Sequence, residues 1–110
     1  MAQTIVCINN AGMVMQFWIE WVNDDGTQGW TQANSGDYPI DQRGSLDMDA
    51  LNNQGESIPP GRLVRPHVQA VAGASIAGDR YITYTPGSAD TAIYDVTGTS
   101  FNYSVTLIES

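Results

Sequence analysis

Apolar side chains are densest over residues 13–22. There a period of two puts Met13, Met15, Phe17, Ile19 and Trp21 on one face and Val14, Gln16, Trp18, Glu20 and Val22 on the other. One face is wholly apolar and the other mixed. That is the pattern of a long β-strand with one side in a core and the other partly covered or used for contact. Turn formers bracket it at hairpin spacing, Asn9-Asn10-Ala11-Gly12 before and Asn23-Asp24-Asp25-Gly26 after. Trp18 and Trp21 oppose each other, so with Trp21 in the core Trp18 is left to meet something else.

The same reading divides the rest of the chain. Residues 4–8 form a first short strand. The Asp25-Gly26 turn leads into residues 27–32, anchored by Trp30, and residues 34–42 form a polar loop carrying an exposed or half-exposed Tyr38. Residues 44–51 alternate, with Leu46 and Met48 inward and Ser45, Asp47 and Asp49 on a wet face. A breaker run over 52–61 ends in Pro59-Pro60-Gly61. In residues 62–72, Val64, Pro66, Val68, Ala70 and Ala72 oppose Leu63, Arg65, His67, Gln69 and Val71, and the missing donor of Pro66 points to an edge or a bulge. A small-residue loop covers 73–79. Strands over 80–85 and 89–96 join through Pro86-Gly87, and Thr97-Gly98 makes the last tight connection. The final strand turns Phe101, Tyr103, Val105 and Leu107 inward and Asn102, Ser104, Thr106 and Ile108 outward. About eight strands without a helical period or internal repeat predict an all-β chain. The expected fold is a single-domain antiparallel β-sandwich over 1–110, jelly-roll or Greek-key like.

Composition narrows the function. A chain of 110 residues has room for one domain. Its one cysteine, Cys7, lies in the apolar run Ile5-Val6-Cys7-Ile8 and reads as a small buried hydrophobe. No signal peptide or membrane-spanning run stands in the sequence, so a soluble protein is expected, its compartment unknown. The net charge of −8, with basic side chains only at Arg43, Arg62, Arg65 and Arg80, argues against nucleic acid and against adsorption to anionic membranes. The absence of lysine leaves strand edges without a common guard against pairing, which favours a homo-oligomer.

Candidate chemistry is sparse. His67 is the only histidine, which rules out multi-histidine zinc sites and leaves any serine–histidine pairing resting on it alone. No phosphate loop or nucleophile elbow occurs. Asp47 and Asp49, roughly 7 Å apart along a strand, would suit an inverting glycoside hydrolase. Asp24, Asp25, Asp37 and Asp41 offer oxygen ligands to calcium, although no cofactor or metal is expected to be required. The contact candidates are Trp18, Glu20, Trp30, Tyr38, Arg65, His67 and Tyr81, with Tyr84 beside them. The chain therefore reads as a non-enzymatic surface-contact module, binding a glycan or lipid headgroup or packing against copies of itself. A small membrane-active toxin is the alternative, with the hydrolase third.

Over less than a quarter of the chain there is a likeness to known proteins. A short apolar strand, Asn9-Asn10, a long strand ending in Trp21 and the Asp25-Gly26 turn together resemble the starts of small β-sandwich cytolysins such as the aegerolysins. These are common hairpin motifs, and no family is assigned from them.

Overall fold

The computed structural model describes residues 3–110. Two sheets pack face to face. The first has the order β4-β1-β8-β9, and the second runs β3-β2-β5-β6 with β7 also on β5. In chain order the strands are β1 (Thr4–Gly12), β2 (Met15–Val22), β3 (Gln28–Trp30), β4 (Arg43–Asp47), β5 (Leu63–Ala70), β6 (Ser75–Ala77), β7 (Ile82–Thr83), β8 (Thr91–Thr99) and β9 (Asn102–Glu109). One short helix, α1 (Met48–Asn53), follows β4. The fold is the expected β-sandwich. Pairing is antiparallel except between β1 and β8, which run parallel in unbroken register from Thr4↔Thr91 to Gly12↔Thr99.

The alternation of β2 sets the core. Met15, Phe17, Ile19 and Trp21 are buried with Val64, Val68 and Ala70 of β5, against Ile5, Cys7, Tyr94, Val96, Tyr103 and Val105 of the first sheet. Burial pushes the Cys7 thiol well above its ordinary pKa, as expected for an inert, apolar-packed cysteine. The sandwich is knitted along one side, where Asp79 N–H donates to Val105 O (2.8 Å) and Leu107 N–H donates to Asp79 Oδ1 (2.8 Å).

Several expectations are corrected. Asn9-Asn10-Ala11-Gly12 continues β1, so β1 and β2 lie in different sheets rather than in one hairpin. Pro66 lies in an interior strand, not at an edge. Its carbonyl accepts from Gly78 N–H (2.8 Å), so its missing N–H falls on the same side, where β6 has ended and β7 has not begun. The strand over 44–51 stops at Asp47, whose carboxylate caps α1 by accepting from Ala50 N–H (3.0 Å). Asp49, on the helix, accepts from the Tyr84 hydroxyl and from Gly87 N–H (2.9 Å). The two carboxylates therefore do not share a strand face, and the hydrolase built on them is withdrawn. Tyr38 is buried, its hydroxyl donating to Cys7 O (2.8 Å) and its ring occupying space that a side chain at Gly44 would fill. Phe101 is 77% exposed, because β8 and β9 turn over Ser100-Phe101 and not over Thr97-Gly98. Leu107 is only partly buried.

Candidate functional site

Two surfaces stand out. The first is the outer face of the second sheet. Register places Trp18 opposite His67 and Glu20 opposite both Arg65 on β5 and Trp30 on β3. Six of the seven contact candidates, Trp18, Glu20, Trp30, Arg65, His67 and Tyr81, thus gather here. Tyr38 does not, and Trp30 lies 58% exposed rather than anchoring its hairpin.

Glu20 is the centre of this face and is almost fully buried, at 3% exposure. Its Oε1 lies 2.9 Å from His67 Nδ1 and 3.4 Å from Arg65 Nε. Burial alone would raise the Glu20 carboxyl, but the His67 hydrogen bond and the Arg65 charge outweigh it and hold the group below its ordinary pKa. Arg65 also reaches Gly78 O (3.3 Å) and lies over the Tyr81 ring, 4.3 Å from its centroid. The His67 ring stacks on Trp18 with centroids 4.8 Å apart and planes 8° from parallel. Its far nitrogen, Nε2, is hydrogen-bonded to the hydroxyl of Ser75 on β6. Ser75 was hidden from sequence reasoning within an apparent small-residue loop. The signal for it is the hairpin, which brings a residue eight positions on from His67 back to the neighbouring strand.

The second surface is the end of the sandwich where β1 passes to β2, β5 to β6 and β8 to β9. Val71 N–H donates to Val14 O (2.9 Å) and Ala74 N–H to Ser100 O (2.8 Å), so the three connections are joined. Each presents an apolar side chain to solvent: Val14 at 41% exposure, Val71 at 51% and Phe101 at 77%. Buried Asn9 braces the end from below. Its amide donates to Met13 O (2.8 Å) and Tyr38 O (3.2 Å), and its carbonyl accepts from Ala11 N–H (3.0 Å). Asp47 pairs with Thr4, Asp90 O accepts from Thr4 N–H and Glu109 pairs with Ile93, so these acids mark the opposite end.

The aspartates proposed for calcium do not form one cluster. Asp24, ion-paired with Arg62, and Asp25, which accepts from Thr27, occupy the turn after Val22. Asp37 adjoins Tyr38, which pairs with Met15 at the other end of β2. No group of three or more metal-type ligands occurs among the described residues. No helix among them is long and apolar enough to cross a membrane.

No protein-family profile matches the chain, and a search of curated proteins finds no match. Solved structures do match in fold. The membrane-binding domain of pneumolysin aligns with a TM-score of 0.53 at 12% identity, over 100% of this chain and 98% of that domain. Listeriolysin O aligns with a TM-score of 0.54 at 13% identity, over 98% of this chain and 22% of the toxin. Intermedilysin, in a complex with human CD59, aligns with a TM-score of 0.51 at 11% identity, over 98% of this chain and 24% of its own. The chain thus spans less than a quarter of these longer proteins, and at such identities the likeness is one of fold.

Proposed function

We propose that this domain is a surface-contact module whose apolar loop end docks on a neutral lipid surface, the membrane-active reading of the fold. The observation that carries it is the convergence of Phe101, Val71 and Val14 on one end of the sandwich, all exposed and linked through their backbones. Isolated exposed apolar residues are ordinary, but a grouped apolar patch marks an interaction surface. Neutral lipid is favoured because the net charge of −8 opposes anionic headgroups. The fold shared with a domain described as membrane-binding supports a membrane surface as the partner. A glycan on the aromatic outer face is the second ligand reading, favoured by exposed Trp30. Contact of this kind involves no bond-breaking step.

A second copy of the chain is the further partner in this reading. Trp30 lies exposed on the short edge strand β3, and no lysine guards any edge. Docking is tested by floating neutral phosphatidylcholine vesicles with the chain displayed in several copies. Co-flotation that is lost with Phe101→Ala is expected, and flotation unaffected by that substitution contradicts the reading.

A further inference from the structure

The outer face holds a second arrangement that lipid contact does not use. Glu20, His67 and Ser75 lie in a line across β2, β5 and β6. An ionised carboxylate only accepts hydrogen bonds, so the 2.9 Å contact with Glu20 puts the imidazole proton on Nδ1. In the neutral ring that leaves the Nε2 lone pair to accept from the Ser75 hydroxyl. Stacking on Trp18 fixes the plane of the ring, and burial of Glu20 beside Arg65 fixes the carboxylate. Ser75 itself is exposed. Nucleophile, base and orienting acid are defined by such geometry and roles, whatever their order in the chain.

We infer that Ser75 is an activated nucleophile, served by His67 as general base with Glu20 as the positioning residue, and that it accepts acyl groups from activated esters. Ser75 Oγ adds to the ester carbonyl while its proton passes to His67 Nε2. Collapse of the adduct breaks the bond to the leaving alcohol, which departs with that proton. Water then attacks the acyl-serine, again giving its proton to His67. The carboxylic acid leaves, and Ser75 recovers its hydrogen.

The substrate class follows from what surrounds Ser75. The bonds Ala70 N–H to Ala74 O and Gly78 N–H to Pro66 O put the even-numbered residues of β6 in the ladder with β5. The Ser75 N–H therefore faces away from β5 and is the one donor this arrangement supplies for a developing oxyanion. Each missing oxyanion donor costs on the order of 10²–10³ in rate. Aryl esters and fluorophosphonates, whose leaving groups need little help, fit such a site, and amides do not.

The test is labelling of the intact chain with a fluorophosphonate, followed by peptide mapping. Ser75 Oγ displaces fluoride from phosphorus, so one phosphonyl adduct on Ser75 is expected. Its rate should exceed that of exposed Ser104 by about 10² or more, the lower range of general-base assistance. Ser75→Ala, at an exposed position, should remove the adduct, and His67→Gln should bring labelling down to the Ser104 rate. The groups facing the imidazole are Glu20 from β2, Arg65 from β5 with Tyr81 behind it, and Ser75 from β6. Glu20→Gln removes the only anion among them while keeping an acceptor for Nδ1–H. It should move the rise of labelling with pH to lower pH, a readout that simple loosening of the face does not produce. Labelling of Ser75 no faster than Ser104, or unchanged in His67→Gln, overturns the assignment.

Discussion

Replacing Phe101 by alanine tests the loop end with little structural interference. Full burial of a phenylalanine or valine side chain gains about 1.5–3 kcal/mol. With 77% of Phe101 exposed, about 2 kcal/mol of that remains to be gained at a lipid surface. Val71 and Val14, at 51% and 41% exposure, add somewhat under 1 kcal/mol each. One copy thus gains about 3 kcal/mol, far below a single myristoyl chain at ~0.8 kcal/mol per buried CH₂, which itself anchors only marginally. A monomer should therefore stay in solution. Four copies on a streptavidin core should bind, since each added tip acts at high effective concentration. Biotin belongs at the C-terminus, because Glu109 pairs with Ile93 at the end away from the tips. Phe101→Ala removes about 2 kcal/mol per copy, roughly thirtyfold each, and should abolish flotation of the tetramer with phosphatidylcholine vesicles. Folding stability should change by less than about 0.5 kcal/mol, as for surface positions generally. A wild-type tetramer that fails to float, or an alanine tetramer that floats equally well, refutes the reasoning.

Three other perturbations probe the scaffold and the outer face. Tyr103→Ala should cost on the order of 3 kcal/mol in denaturant unfolding, because the ring is buried and its hydroxyl donates to Val68 O (3.1 Å) and Ala74 O (2.6 Å). Since the Glu20 pKa is lowered by folding, its contribution is present above the ordinary glutamate value of about 4.3 and fades as pH falls through the folded-state value. The gap in melting temperature between wild type and Glu20→Gln should therefore shrink as pH falls below the ordinary glutamate value, and a constant gap would contradict the ion-pair account. Trp30→Lys should lower the mass seen by light scattering over a concentration series if copies meet at β3, whereas a wild type that is monomeric throughout removes self-association.

Where local pattern and burial agree, the sequence was readable. The alternation of β2 separated Trp21 from Trp18, and the polar side of β5 put Arg65 and His67 on the face that Glu20 shares. Reading failed where a contact from far along the chain decides the outcome. Tyr38 looks like a loop residue until Gly44 opens room for its ring beside Cys7. Phe101 continues the inward phase of β9 by parity, yet it sits in the two-residue turn between Thr99 and Asn102, outside the paired strand, and is exposed. Asp47 and Asp49 follow strand parity until Asp47 caps a helix too short to show a period. The partner of His67 was missed because Ser75 becomes its neighbour only once β5 and β6 pair.

The parallel pairing of β1 with β8 bears on how the protein is made. Thr4 finds its partner at Thr91, and β1 sits between β4 and β8 as an interior strand of its sheet. During synthesis β1 must wait, with one edge unpaired, until β8 has left the ribosome. Non-local pairing of this kind slows folding, because the entropy of closing the loop is lost before the contacts repay it. Until then Ile5, Val6 and Ile8 form an apolar edge open to other chains. Aggregation during expression should therefore respond to changes in β8 more than to equally destabilising changes in the β2–β3 hairpin, which closes locally and early.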